Sequence, residues 1–160
     1  MDNSNRPPAM RAPRLVGAIN PIVSWLMGAG VRLGPNALLT VRGRSSGLPR
    51  TFPIALLEAH GQLFVQSPYG DVNWVRNLRV DGRAVLARGG SRQEVAAIEV
   101  APEAAEPVLR AALAPYRRGR LSSAFAGLFI PLRAEASRAE YIEHVRRHPV
   151  FELRPGPSAD

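Results

Sequence analysis

Two residue types are missing from this chain. Its 160 residues include no cysteine and no lysine. Without cysteine there is no disulfide, thiolate nucleophile, zinc–thiolate site or protein-ligated iron–sulfur cluster. Without lysine there is no Schiff base and no Walker-type phosphate loop, which needs its lysine. All 21 basic residues are therefore arginine, set against 13 acidic ones, for a formal charge of +8. That balance implies an anionic partner: nucleic acid, an acidic membrane surface, or a phosphorylated or carboxylated small molecule. Any grip on phosphate must come from guanidinium groups, backbone N–H groups and hydroxyls.

The length suits a single domain with its own core. Residues 1–13 are polar and rich in arginine and proline, and read as a flexible tail. Residues 15–31, "LVGAINPIVSWLMGAGV", carry no charge. They are short for a membrane span and are interrupted by Asn20, Pro21 and Ser24. They read as a helix broken near Pro21 that packs on the domain or touches a membrane surface. The domain is expected to run over 14–155, with 156–160 as a second tail.

Within the domain, residues 38–42 and 51–57 read as strands. Pro53 removes a backbone donor, so the second strand is at an edge, bulged or open to a ligand. "EAHG" turns the chain into a strand over 62–67. Asp71 is placed to cap the helix "VNWVRNLRV", which "DG" at Asp81–Gly82 ends. "RAVLAR" and "RQEVAAIEV" form a hairpin across Gly89–Ser91. A helix is expected to begin near Pro107. The apolar "LSSAFAGLFIPL" reads as a lid or core helix. Ser137 and Glu140 form a capping box, and "VFELR" alternates as a last strand. Hairpins with helices between and after them predict an α+β fold, a small antiparallel barrel with helices packed outside.

The bend "GRSSGLPR", residues 43–50, holds more donors and charge than a hairpin needs. Its glycines allow several N–H groups to point one way, and Arg44 and Arg50 can each bind phosphate through two N–H groups. A solvated hairpin with scattered arginines is equally compatible with that composition. A second element, "SPYGDVNWVRNL", sets Ser67, Tyr69 and Gly70 at the end of a strand. Trp74 and Asn77 then share one helix face. Trp74 is either core or a surface for a planar ring, and Asn77 can bond ring-edge polar groups.

Together, "GRSSGLPR" and "NWVRNL" resemble the deazaflavin-dependent nitroreductases, also called the quinone reductase family, which use coenzyme F420. The resemblance runs from about Leu38 to Val100, and more weakly through "HPVFEL". It implies a split β-barrel and an oxidoreductase in which reduced F420 gives a hydride to a small electron-poor acceptor: a quinone, an enone or a nitro compound. It implies that Arg44, Ser45, Ser46, Gly47 and Arg50 hold the cofactor phosphate. Pro53, Ile54, Ser67, Tyr69 and Gly70 then lie against the deazaflavin ring, and the Trp74–Asn77 helix closes that side. Tyr69 is the candidate catalytic side chain, with Tyr69 and Tyr116 as substrate contacts. Family loops often carry lysine where Ser45 stands, and some carry it near Tyr69. The missing cations imply weaker binding, compensation by Arg42, Arg76 and Arg79, or loss of the cofactor.

Related split barrels use FMN, so FMN is the alternative cofactor. A lipid- or fatty-acid-binding barrel at the membrane is the non-catalytic alternative. No nucleic-acid partner is expected, because no stacking aromatics accompany the arginines of "YRRGR". No metal site is expected either. Glu140, His144 and His148 recur on one helix face but read as exposed groups beside arginines. The protein is expected in the cytoplasm, either free or in peripheral contact with the inner membrane face, and its oligomeric state stays open.

Overall fold

The computed structural model describes residues 36–114 and 135–156. The expected N-terminal tail, residues 157–160 of the expected C-terminal one, the apolar helix over 15–31, Tyr116, "YRRGR" and "LSSAFAGLFIPL" lie outside the described residues, as does the membrane contact assigned to that helix; Gly156, placed in the second tail, instead donates its N–H to Glu94 O at 2.8 Å. Six strands are described: β1 (Asn36–Arg42), β2 (Pro49–Ala59), β3 (Gln62–Gln66), β4 (Arg83–Arg88), β5 (Ser91–Glu99) and β6 (Val150–Pro155). They close a barrel in the order β1-β2-β3-β6-β5-β4, with every pairing antiparallel. The α+β split barrel anticipated from the sequence is the fold observed.

Period-two alternation separates two cores. Inward-facing Leu39, Val41, Ile54, Leu56, Val65 and Phe151 fill the barrel. On β2, the opposite parity puts Leu57 and Ala59 on the outside, under two helices. These are α2 (Pro102–Leu113) and α3 (Arg138–Arg147). Ala105, Leu109 and Ala112 on α2 and Tyr141 and Val145 on α3 supply the buried stripes, at the three-to-four spacing of an amphipathic helix. The Arg110 guanidinium clasps the two helices. It stacks 4.5 Å over the Tyr141 ring and bonds Glu106 and the Ala136 carbonyl.

A third helix, α1 (Asn73–Asp81), packs Trp74, Val75 and Leu78 into the barrel core. Gly82, with φ 68°, ends it as a left-handed cap, as the "DG" pair predicts. Its start differs from expectation. The N-cap is Val72, without a side-chain bond, because the Asp71 carboxylate is taken by Arg76 and Arg79. The helix expected from Pro107 begins instead at Pro102, which suits the first turn because its missing N–H is unneeded there. Pro107 lies inside it, tolerated among good helix formers. Ser137 and Glu140 form the predicted capping box.

β3 pairs with β2 only from Leu56 to Ala59. At Pro53, β2 pairs with β1 alone, opposite Leu38. The missing N–H of Pro53 therefore falls where one edge of β2 has no strand partner among the described residues. No described helix is long and apolar enough to cross a membrane.

Candidate cofactor site

The bend closes on itself through its glycines. Gly47 N donates to Gly43 O at 2.7 Å, and Gly43 N to Leu48 O at 2.9 Å. Gly47 has φ 69°, a conformation glycine adopts freely. Leu48 N donates to the Ser46 hydroxyl at 3.3 Å. The glycine amides are thus taken up by the turn and do not form an outward nest. The donors left are the Ser45 and Ser46 amides and the guanidinium groups.

Arg44 is anchored. Its backbone N and its Nη1 both donate to Asn77 Oδ1, at 3.2 and 2.9 Å. This assigns Asn77 a role the sequence did not suggest. It ties the bend to α1, with its carbonyl oxygen occupied. Arg50 lies opposite Val41 and so on the inward parity, but at the exposed end of β2, where it stands at the barrel mouth. Neither arginine forms an ion pair with a described carboxylate.

Other predicted residues fall elsewhere. Ile54 points into the barrel core while Pro53, one residue earlier, points outward. The two cannot both offer side chains to one ring. Trp74 is also core, 8% exposed, its ring tilted against Phe151 at 6.1 Å. Ser67 is wholly buried, and its hydroxyl donates to Gly70 O at 2.6 Å. It shapes the turn and presents no atom to a ligand. Tyr69 is half-buried in that turn and hydrogen-bonds no described residue.

Beside the bend, a groove of about 360 Å³ opens on the outer face of β1, β4 and β5. It is lined by Thr40, Arg42, Gly47, Asp81, Arg83 and Glu94, among others. One step past Val41↔Ala84, the register sets Arg42 opposite Arg83. Like charges directly opposed on a sheet repel, and neither has an ion-pair partner among the described residues. Of the three arginines placed to replace the missing lysines, Arg76 and Arg79 are held by Asp71 and Glu99. Arg42 is not, and it lies within 3.6–3.7 Å of where a Gly47 side chain would start. Sequence reasoning missed Arg83, because strand pairing alone brings it to Arg42.

The two histidines also depart from expectation. They are not exposed beside arginines but half-buried, stacked at 4.4 Å with rings inclined by 32°. Among the described residues, no three side chains are grouped to hold a metal ion. Burial pushes His144 down to about 4, helped by repulsion from His148 and Arg147. Burial also lowers His148, partly offset by the Ser67 carbonyl. In the unfolded chain both titrate near 6.5 and take up protons first as pH falls. Folding stability is therefore full above about pH 6.5 and declines toward pH 4. Glu152, held low by Arg154, adds its own loss only as pH falls through the ordinary carboxylate range and below it. Urea unfolding at pH 7.5, 5.5 and 4.5 checks this, and His144→Phe should flatten the decline.

A closed antiparallel barrel of six described strands, with helices packed outside it, defines a split-barrel protein. The sequence profile of the F420H(2)-dependent quinone reductase family matches residues 22–117. The chain belongs to that family, and it is a reductase of the F420-dependent kind. No curated protein matches it. Among solved structures, it is similar to an F420-H2 dependent reductase, FDR-A, at 22% identity and a TM-score of 0.52, covering 75% of this chain and 94% of that one. A conserved hypothetical protein from Mycobacterium tuberculosis has 12% identity and a TM-score of 0.52, over 95% and 86%. A protein of unknown function from Agrobacterium tumefaciens has 19% identity and a TM-score of 0.52, over 93% and 59%. At such identities these likenesses show the fold alone.

Proposed function

We propose that this protein uses reduced F420 to reduce a small electron-poor organic molecule: a quinone, an enone or a nitro compound. The observation that carries the reading is the bend. Two arginines without carboxylate partners among the described residues flank amides that bond none of those residues, and one of the two is fixed in place by Asn77. Such a seat fits a phosphate, which accepts several charge-assisted bonds at once.

Bound F420H2 supplies a hydride, and the protein supplies orientation, dryness and charge. Arg44 and Arg50 would hold the phosphate, with the Ser45 and Ser46 amides beside them. Arg42 and Arg83 would receive further carboxylates of the cofactor tail, relieving their mutual repulsion. Pro53 and the Ser67–Gly70 turn would border the ring. Tyr69, the half-buried side chain of that turn, would meet the acceptor, with Tyr116 as a second contact.

Titration of the purified protein with oxidised F420 tests this, followed by tryptophan fluorescence with FMN as the comparison. Saturable quenching by F420 and none by FMN is expected, as is oxidation of F420H2 by a short-chain benzoquinone. Binding of FMN alone, or of neither, overturns the proposal.

A further inference from the structure

The Ser67–Gly70 turn is braced from behind by the end of α3 and the start of β6. Ser67 N donates to Pro149 O at 3.0 Å, and Gln66 Nε2 to His148 O at 3.4 Å. Gly70 lies so close that a Cβ there would stand 3.0 Å from Arg147 O. One side chain from that corner also bonds the turn: His148 Nδ1 lies 3.2 Å from Ser67 O. A carbonyl only accepts, so Nδ1 carries the proton. Among the described residues the same carbonyl otherwise receives only Gly70 N, at a long 3.4 Å.

Behind His148 lies His144, one helical turn earlier and stacked at 4.4 Å. Its Nε2 is buried without a hydrogen-bond partner among the described residues. Leaving a buried ring nitrogen unpartnered costs stability. In this position the ring acts as a flat backing that fixes the plane of its neighbour. A fixed plane matters because a hydrogen bond weakens steeply with angle.

We propose that His148 is a positioning residue of the cofactor site: its Nδ1–H holds the Ser67 carbonyl, His144 backs the ring, and together they set the turn that presents Tyr69. The inference rests on the function proposed above, in which Tyr69 faces the reacting groups. His148 itself touches neither cofactor nor acceptor.

Two variants of the full chain separate a directional bond from simple filling. In His148→Asn, the side-chain amide can donate from near the place of Nδ1. His148→Leu fills space without a donor. Amide hydrogen exchange of Gly70 and Val72, measured without cofactor, should quicken about tenfold in His148→Leu and stay within about twofold in His148→Asn. The dissociation constant for F420 should follow the same order, rising about tenfold in the first and under threefold in the second. If His148→Leu does not fold, His148→Met replaces it, again filling the space without a donor. Equal behaviour of the two variants, in exchange or in binding, overturns the proposal while leaving the function standing. Absence of F420 binding by the unmodified protein overturns both.

Discussion

Replacing Arg44 and Arg50 together by alanine is expected to raise the dissociation constant for oxidised F420 at least about a hundredfold. Hydrogen bonds to a charged partner contribute roughly 1.5–3 kcal/mol each, and each 1.4 kcal/mol is tenfold in affinity. Neither guanidinium has a competing carboxylate among the described residues, so their charge is available to a ligand. Arg50 is exposed and has no ion-pair partner among the described residues, so its loss should move stability by no more than about 0.5 kcal/mol. Arg44→Ala also frees Asn77, so the single variants should differ: Arg44→Ala loosens the bend as well, and Arg50→Ala removes charge alone. Arg88→Ala at the other end of β4, where Arg88 pairs with Glu58, removes one charge and is the net-charge control for the single variants. A double variant that binds within threefold of the unmodified protein places the phosphate elsewhere.

Gly70→Ala is expected to cost roughly 1–3 kcal/mol in urea unfolding, toward the upper end. With φ 73°, Gly70 is in the left-handed region, which burdens any side chain. Space compounds the strain, because the atom that a Cβ would approach is the Arg147 carbonyl, a backbone atom that cannot swing away. The turn must then shift, and Tyr69 with it, so F420 affinity should fall alongside stability. Gly61→Ala is the comparison. It has φ 74° but nothing within 4 Å of a new Cβ, so only the backbone term applies.

The local parts of this fold were legible because turn chemistry is local. His60–Gly61, Gly82 and Gly89–Gly90 all take positive φ where the sequence predicts a reversal or a stop. The misreadings come from competition at a distance or along the chain. Asp71 looks like a cap until Arg76 and Arg79 fold back onto it. Pro107 looks like a beginning because the alanine-rich turn before it carries no polar cap. At the site, the arginine-rich bend was visible as composition, and its glycines did mark the turn. That Asn77 anchors Arg44, that Arg83 faces Arg42 and that Ser67 is sealed inside its turn depend on strands and helices far apart in sequence. The histidines show the same limit. Their four-residue spacing gives a shared face, but not that this face meets residue 67.

The position of β6 has a bearing on how the chain comes into being. It inserts between β3 and β5 and pairs with both, yet it is synthesised after the other five described strands. Until it emerges, the nascent protein is an open sheet with two bare edges, each able to recruit a stray strand. Closure must also wait on contacts between residues about ninety apart, such as Leu63 with Leu153, and long-range pairing of that kind slows folding. The interval between translation of β3 and arrival of β6 is thus the period in which this protein is most exposed to aggregation.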